Sequence, residues 1–461
     1  MKIALTIHGF PPEHTGGTEQ AVHSLAQELV RRGHRVLVLA GSDRWQNGYR
    51  IERGPDPTGR FEVVRFHRGD PHYGHWHKRH SAAVSRDVEA LLARERPDVL
   101  HVHHWLRLTD DLVRIGARLG IPTVTTLHDF GATCPIVHRV RQDTRTFCSA
   151  MPAAEPCSAC ATRHYLPVPW IGEDVAAQRY RDWLAASIAE LRASTVLTCL
   201  SRCQGERIAT ALGLEEAPHS IAPTLHDPPP RRAPRPLGSK LVLGAWGSIH
   251  ELKGTDVLVA AVGHACAAGA AVELHIAGQS ADPPFEARVR EAAAGLPVHW
   301  HGRFEQLAGH PVADVDAFVS GTRAHETWGL VADEALALGV PVILPAAGAF
   351  LERFAGVRSA LLYESGDAED LGRLLVRLLR DGALRERFFA PVDPRSAPAP
   401  AAVAEAYERL YDTALARGPV AVSPPAPDTE RAVAEFHAAW DAAFRVHYGI
   451  GSDGVEGERA P

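Results

Sequence analysis

The sequence predicts an α/β protein built from two doubly wound, parallel-sheet domains that face each other across a cleft. Short β-branched runs alternate with amphipathic helical patterns, and this alternation stops at a proline-rich segment and then starts again. Such alternation indicates parallel strands with helices on both faces of the sheet. The chain has 461 residues, which is more than one hydrophobic core usually organises, so two domains are expected.

The first half of the chain opens with a βαβ unit. Residues 2–8 and 35–40 are predicted strands, and residues 17–32 repeat apolar side chains at helical spacing until Gly33 ends the helix. Further strands are predicted at residues 61–66, 98–103, 122–127 and 195–200. Helices are predicted between them at residues 81–94 and 110–119.

A proline-rich segment separates the two halves. Residues 217–238 contain seven prolines among 22 residues, a density that neither a sheet nor a helix tolerates, so they are predicted to be a linker. A second βα series follows the linker. Its strands are predicted at residues 240–246, 272–277, 297–301, 316–320, 340–344 and 360–363.

These boundaries define an N-terminal domain at residues 1–216, with a cysteine-containing insertion at about 129–175, and a C-terminal domain at residues 239–399. Residues 400–447 contain two helical patterns, which we expect to pack back on the N-terminal domain. Residues 448–461 are rich in Gly and charged side chains and are predicted to be disordered.

The overall charge gives no reason to expect a nucleic acid partner. Lys and Arg number 49 against 55 Asp and Glu, for a net charge of -6, so no basic field favours nucleic acid or an anionic membrane. Pro11 and Pro12 interrupt the N-terminus before an apolar segment of signal-peptide length develops. We expect a cytoplasmic protein. Residues 165–183 mix Trp, Tyr and Arg, which permits a peripheral membrane contact, but we prefer an ordinary amphipathic segment.

Two glycine-containing turns are candidate phosphate sites. Gly16 and Gly17 precede the first predicted helix, where close backbone approach and free amides attract an anion, although most such pairs are only turns. The three-glycine dinucleotide fingerprint is absent. In the second domain, Lys253 lies at the start of a helix that begins near Gly254. A lysine there opposes the helix dipole unless an anion lies between them, and a solvated loop lysine is the alternative.

Two acids eight positions apart mark the segment HETWGLVADEALALGVPVI. Glu326 lies in the loop after the predicted strand 316–320, at the edge that faces the cleft. If residues 330–338 are helical, Glu334 lies beside an apolar stripe, where an ionised carboxylate is costly without hydrogen-bond donors. Ribose hydroxyls would supply such donors. The spacing alone proves little, because a chain with this many acids has other pairs eight apart by chance.

The order of these residues resembles a known family. A strand followed by His-Glu-x-aromatic-Gly-Leu and Glu-Ala-x-x-x-Gly-x-Pro-Val is similar to the E-x7-E signature of retaining glycosyltransferases of family 4, which have the GT-B fold. The resemblance extends from about residue 2 to residue 415. It includes, in the family order, the segments PPEHTGG, GHRVLVLAG, PDVLHVHHW, IPTVTTLHDFGATCP, WGSIHELKG and AGAFLERF.

The resemblance implies a function for each matching residue in the second domain. Glu334 would bind the ribose of a UDP- or GDP-sugar, and Glu326 would stabilise positive charge on the transferred sugar. The amides of Gly329 and Leu330 would hold the diphosphate together with Lys253. Glu326 and Lys253 would therefore be catalytic.

Other matching residues complete the implied site. Gly16 and Gly17 would close on the donor from the N-terminal domain. His128, in the segment TLHDF, would face the transferred sugar as a third catalytic residue. Glu352 would be a further acid in the cleft.

One position departs from the family pattern. The family usually has an arginine after the glycine of the second phosphate loop, whereas Ser248 follows Gly247 here. Ser248 stays a candidate donor contact, but the missing guanidinium removes a bidentate phosphate partner. We expect Arg303 or Arg323 to substitute, since both follow predicted strands at the same edge. An unusual donor or an inactive protein is the alternative.

The resemblance implies a retaining transferase that moves a sugar from a nucleotide sugar to an acceptor hydroxyl, in polysaccharide, glycolipid or glycosylated-metabolite biosynthesis. The departing diphosphate would accept the acceptor's proton, so neither a protein nucleophile nor a catalytic metal is implied. His103 and His104 are candidates for the acceptor side or for structural positions. A nucleotide-sugar epimerase or phosphorylase, and a sugar-nucleotide sensor without catalytic activity, are alternative functions of such a fold.

Four cysteines cluster in the insertion. Cys134, Cys148, Cys157 and Cys160 lie in an irregular segment that also contains prolines, and the last two have C-x-x-C spacing. Four thiolates of this kind can hold a structural zinc ion, and ordinary reduced thiols are the alternative. Disulfides are not expected in the cytoplasm.

Overall fold

The chain forms two α/β domains, each with its own sheet and its own hydrophobic core. The computed structural model describes residues 1–44, 48–165, 167–225, 227–233, 238–280, 282–392, 398–423 and 427–449. The two sheets and the alternation of strand and helix confirm the predicted fold class.

The N-terminal sheet is almost entirely parallel. Its strands are β1 (Lys2–Ile7), β2 (Arg35–Gly41), β3 (Arg50–Pro55), β4 (Glu62–His67), β5 (Val99–Val102), β6 (Thr123–Leu127), β7 (Val196–Cys199) and β8 (His219–Ser220). They lie in the order β3-β4-β2-β1-β5-β6-β7-β8, and β3 pairs antiparallel with β4. The central strand β1 is buried along nearly its whole length, as a strand covered on both faces must be.

Six helices accompany this sheet. They are α1 (Gly17–Arg31), α2 (Ala82–Glu95), α3 (Leu112–Arg118), α4 (Ala154–His164), α5 (Glu173–Arg192) and α6 (Arg202–Leu212). The apolar face of α1 packs against β1, with Leu25 and Leu29 in the same core as Ile3 and Leu5. Helix α1 therefore starts at the carboxyl edge of the sheet, where the cleft lies.

Two strands of this sheet depart from the prediction. β3 has no apolar alternation because its side chains are largely exposed at the edge of the sheet. β8 lies inside the predicted linker of residues 217–238 and extends the sheet beside β7. The proline-rich segment thus begins as an edge strand of the N-terminal domain.

The C-terminal sheet has six strands that all pair in parallel. They are β9 (Leu241–Trp246), β10 (Val272–Ala277), β11 (Val298–Trp300), β12 (Ala317–Val319), β13 (Val342–Pro345) and β14 (Ala360–Tyr363), in the order β11-β10-β9-β12-β13-β14. The strand order reverses between β9 and β12, and ligands of such sheets bind outside the carboxyl ends at this switch point.

Helices surround the second sheet on both faces. They are α7 (Thr255–Ala267), α8 (Pro283–Ala292), α9 (Leu330–Leu338), α10 (Gly348–Phe354), α11 (Ala368–Arg380) and α12 (Gly382–Phe388). Helix α9 follows β12 and the loop that contains Glu326, and Glu334 lies within the helix itself. Its start therefore lies at the switch point of the sheet.

The last two helices, α13 (Pro400–Arg417) and α14 (Pro427–Tyr448), pack on the N-terminal domain. Tyr407 and Tyr411 of α13 are buried in the core of the first sheet. The Tyr411 hydroxyl lies 2.8 Å from His101 Nδ1 on β5, and His101 Nε2 lies 2.7 Å from Thr126 Oγ1 on β6. Helix α13 is thus a structural part of the N-terminal domain.

Aromatic residues of the segment 165–183 pack in the protein interior. Tyr180 and Trp183 are 1% and 6% exposed and pack in one cluster with Trp76. The interpretation as an ordinary amphipathic segment accounts for this arrangement. Among the described residues, no helix combines the length and the apolar character that a membrane span needs. The sequence predicts a disordered tail from residue 448, but Tyr448 is the last residue of α14, and the part from residue 450 onward lies outside the described residues.

Replacing Tyr411 with Phe should destabilise the N-terminal domain. The substitution leaves His101 Nδ1 buried without its hydroxyl partner, which costs about 1–3 kcal/mol. Chemical denaturation of both proteins measures this loss. The control is Thr413→Ala on the same helix, because that exposed hydroxyl bonds only to the carbonyl of Arg409 one turn away. Equal stability of the two variants would contradict the buried hydrogen bond.

Candidate active site

Two helices from different domains start at the same place in the cleft. A Cβ built on Gly17, the first residue of α1, would lie 3.4 Å from Leu330 Cδ1, the first residue of α9. The cap positions are Gly16 and Gly329, which have no side chain to accept from the first amides, although the Glu19 carboxylate lies close to Gly16 and pairs with His8 at 3.0 Å. Uncapped amides at a helix N-terminus attract anions, and here two such ends face each other.

Gly329 fixes the start of α9. Its φ is +87°, and a Cβ there would lie 2.1 Å from Cε1 of Phe350 on α10. Only glycine therefore lets the chain turn into α9 while α10 packs against it. The backbone of Glu326 is held as well, because its carbonyl accepts a hydrogen bond from the amide of Ala349 at 2.8 Å.

An ion pair joins the two predicted catalytic residues of the C-terminal domain. Lys253 Nζ lies 2.7 Å from Glu326 Oε1, which also accepts from Thr322 Oγ1 at 3.2 Å. The Lys253 side chain is 48% exposed and that of Glu326 is 17% exposed. The lysine is therefore free to move toward a ligand, while the carboxylate stays in place.

Glu334 already has one donor in the protein. Trp246 Nε1, at the end of β9, donates to Glu334 Oε2 at 2.8 Å. Burial, with a smaller contribution from the neighbouring Asp333, raises the pKa of the Glu334 carboxyl to about 7, against the opposing effect of the indole bond. Among the described residues no other donor reaches Glu334. One of its oxygens is therefore available to a ligand, and the indole is a partner that the sequence analysis missed.

Asp333, and not Glu334, is the most buried acid of α9. Its side chain is fully buried and accepts hydrogen bonds from Arg353 and, at 2.7 Å, from Trp328 Nε1. The Arg353 guanidinium also lies 3.8 Å from the centre of the Trp328 ring. This contact fixes the aromatic residue of the motif. It depends on α10 packing beside α9, which no local pattern could reveal.

His128 lies at the carboxyl edge of β6, opposite the motif loop. Its Nε2 is 2.9 Å from His103 Nδ1, and burial lowers the pKa of His128 to about 3, so the ring is neutral. The Thr327 hydroxyl donates to the His128 carbonyl at 2.7 Å and joins the two domains. His103 is buried beneath His128, and His104 pairs with Asp129 at 3.1 Å, so both have structural contacts.

Glu352 has structural partners in the N-terminal domain. Its two oxygens accept from the amides of Arg202 at 3.2 Å and Cys203 at 2.7 Å, which are the first residues of α6. This carboxylate caps α6 across the domain interface, as acids at a helix start do. Its predicted donor contact stays a prediction.

The two arginines that were expected to replace the missing guanidinium have different surroundings. Arg323 forms a fork with Asp256, at 2.8 and 2.7 Å, so its charge is already neutralised. Arg303 is exposed and follows Gly302, whose carbonyl accepts from the amide of Gly278 at 2.8 Å. The backbone of Gly278 in turn packs against Gly247, since a Cβ on Gly278 would overlap the Gly247 carbonyl. Arg303 therefore lies near the loop that contains the exposed Ser248.

The four cysteines of the insertion do not form a ligand set in this structure. All are half-buried free thiols, and burial raises the pKa of Cys134 to about 12. Sulfur atoms around a tetrahedral zinc lie about 3.8 Å apart. Among the described residues, no group of three potential metal ligands within 4.8 Å includes a cysteine. The zinc site stays a prediction that this geometry does not support.

Substituting Ala for Gly329 should disrupt the site through the clash with Phe350. Overpacking of this kind costs about 1–3 kcal/mol, on top of the strain at positive φ. The matched control is Gly295→Ala, which has a similar φ of +80° but open space around the added methyl. Thermal unfolding and nucleotide binding measure both effects. If the two variants behaved alike, contact between α10 and the start of α9 would not require this glycine.

Comparison with known proteins gives the same architecture. Two family models match: Glycosyltransferase Family 4 over residues 15–228, and Glycosyl transferases group 1 over residues 240–381. Among solved structures, sucrose-phosphate synthase from Thermosynechococcus elongatus superposes with a TM-score of 0.60 at 20% identity, covering 90% of this chain and 99% of that one. Anabaena Alr3699/HepE in complex with UDP and glucose gives 0.59 at 15% identity, covering 90% and 100%.

A curated relative is similar in sequence along most of the chain. The GDP-mannose-dependent alpha-(1-6)-phosphatidylinositol dimannoside mannosyltransferase of Mycobacterium tuberculosis is 26% identical over 363 residues, which cover 76% of this chain and 81% of the relative. Together with the matched models and the geometry of the cleft, this similarity assigns the chain. The protein belongs to glycosyltransferase family 4 and is a nucleotide-sugar-dependent glycosyltransferase with the GT-B fold.

Proposed function

We propose that this glycosyltransferase retains the configuration of the transferred sugar and works without a catalytic divalent metal. The observation that carries the proposal is the ion pair of Lys253 with Glu326, beside the facing starts of α1 and α9. The Lys253 ammonium and the amides at two helix starts with glycine caps meet at this point. They supply the positive potential that a leaving diphosphate requires.

The donor diphosphate binds between Lys253 and the amides of Gly329 and Leu330. Lys253 then exchanges its bond with Glu326 for a bond with the phosphate. The freed Glu326 carboxylate faces the sugar ring, where positive charge develops as the glycosidic bond to phosphate lengthens. Gly17 approaches from the other domain and, together with Gly16, helps exclude water from the donor.

Retention follows from reaction on one face of the sugar. The departing phosphate oxygen accepts the proton of the acceptor hydroxyl while that hydroxyl attacks the anomeric carbon from the same side. The protein contributes electrostatic stabilisation and orientation, and no side chain forms a covalent bond with the sugar. His128 is neutral, so it contacts the sugar as a hydrogen-bonding group and adds no positive charge near the reacting carbon.

The first donors to test are GDP-mannose and UDP-glucose. The curated mannosyltransferase is named for GDP-mannose, and the Anabaena structure contains UDP and glucose. In either case Glu334 holds the ribose through the oxygen that Trp246 does not occupy. Arg303, which is exposed beside the Ser248 loop, supplies a guanidinium to the phosphates.

Changing Glu334 to Gln should impair donor binding, whereas changing Glu326 to Gln should impair the rate of transfer. Glu334→Gln weakens donor binding, because an amide accepts ribose hydroxyl bonds less strongly than a carboxylate, and the expected loss is about tenfold. Glu326→Gln leaves binding within about threefold but lowers kcat by roughly 100-fold or more. Calorimetric titration with each donor and single-turnover kinetics measure the two quantities. Equal losses of binding in both variants would contradict these separate functions.

Donor affinity should depend on pH through Glu334. Its pKa in the ligand-free protein is about 7, above the ordinary value of 4.5, so its proton stabilises the fold most at low pH and this contribution declines as pH rises to 7. Ribose hydroxyls bind the ionised form. The Kd of a nucleotide sugar should therefore fall by about tenfold between pH 6 and pH 8.

Glu334→Gln is the control for this dependence, since it cannot ionise. Nucleotide sugars suit the titration because their diphosphate is a diester and does not change protonation in this pH range. A wild-type affinity that stays constant between pH 6 and pH 8, like that of the variant, would contradict the proposed ribose contact.

A further inference from the structure

The insertion of the N-terminal domain contains a short hairpin, residues 139–148. Val140 and Phe147 form an antiparallel bridge, and the Arg141 amide donates to the Thr146 carbonyl at 2.9 Å. Arg139 anchors the base: it is 4% exposed, and its guanidinium donates to Thr133 Oγ1 at 3.3 Å. The hairpin is therefore fixed to the rest of the N-terminal domain.

The tip of the hairpin crosses to the C-terminal domain at two points. The Phe147 ring stacks on His325, with ring centres 3.7 Å apart and planes 3° from parallel. Arg145 Nη2 lies 2.9 Å from Glu251 Oε1. One contact is an aromatic stack and the other an ion pair, so each can be removed without the other.

Both contacts adjoin the catalytic pair. His325 immediately precedes Glu326, and Glu251 belongs to the same single 3-10 turn as Lys253. The hairpin thus holds the residue next to the carboxylate and the turn that contains the ammonium, while the pair itself spans 2.7 Å between them.

We propose that residues 139–148 position Lys253 and Glu326 for transfer, with Phe147 and Arg145 as positioning residues. The proposal rests on the proposed function of that pair. When the hairpin is engaged, the motif loop and the lysine turn are held from the opposite domain, so Lys253 and Glu326 are both in place to receive the donor.

The surroundings of Phe147 make it a rigid contact. Its ring meets Phe130 edge to face, with centres 5.5 Å apart, and the Arg207 guanidinium lies 5.0 Å from its centre. Burial lowers the pKa of His325 to about 4, so a neutral imidazole faces the ring. A side chain held on several sides transmits the position of the N-terminal domain to the motif loop.

Hydrogen exchange of the ligand-free protein tests the placement without any catalytic assay. In Arg145→Glu and Glu251→Arg, the amides of residues 322–330 should exchange roughly twofold to fivefold faster, the range expected for loss of an exposed ion pair. The double variant with both charges exchanged should restore the wild-type rate. Arg141→Ala is the matched control, because that arginine pairs with Asp143 inside the hairpin.

Kinetics then test the consequence for transfer. Phe147→Ala should lower kcat by about 10-fold to 100-fold, the cost of a misplaced catalytic group, with KM for the donor within about threefold. The share of donor lost to hydrolysis should rise, since a loosened motif loop admits water. Phe147→Tyr keeps the stack and should retain activity, which separates positioning from a folding defect.

The outcomes distinguish the two proposals. Unchanged exchange in both charge variants together with unchanged kcat in Phe147→Ala would overturn the function of the hairpin. If the wild type turned over no donor while the exchange results were as expected, the proposed function would fail and the contact between hairpin and motif loop would stand.

Discussion

The site depends on one electrostatic arrangement: the starts of α1 and α9, both with glycine at the cap position, face each other, and Lys253 pairs with Glu326 in the loop before α9. Most helix starts satisfy their free amides with a neighbouring Ser, Thr or Asp. Here Gly16 and Gly329 occupy the cap positions and offer no side chain to the first amides, and the Glu19 carboxylate at the start of α1 is paired with His8. A parallel sheet makes this convergence natural, because helices in both domains start at the carboxyl edges that form the cleft. The fold thereby creates a binding place for a polyanion.

The acids around this place serve different physical purposes. Asp333 is neutralised by Arg353 and holds Trp328, so it maintains the shape of the motif. Glu326 pairs with Lys253 at 2.7 Å, in the loop before α9. Glu334 is half-buried with a single indole donor among the described residues, which is costly for a carboxylate until a ligand supplies more hydrogen bonds. A position that would be unfavourable for a carboxylate in an ordinary helix therefore favours the binding of a ligand that supplies hydroxyl donors.

Local patterns in the sequence predicted the alternation of strands and helices, because a buried parallel strand is continuously apolar and a helix repeats every 3.6 residues. They missed β3, which is exposed, and β8, which lies among prolines. The motif acids were found through a family resemblance, but their partners were not. Trp246 precedes Glu334 by 88 positions, and Phe147 meets His325 from another domain, so only the folded chain reveals these contacts.

A crystal structure of the protein with GDP-mannose or UDP-glucose bound is the decisive measurement. We expect the diphosphate to lie between Lys253 and the amides of Gly329 and Leu330, with the ribose hydroxyls on Glu334 and the sugar facing Glu326. A nucleotide bound elsewhere, or in this cleft with its diphosphate away from the start of α9, would contradict the central claim.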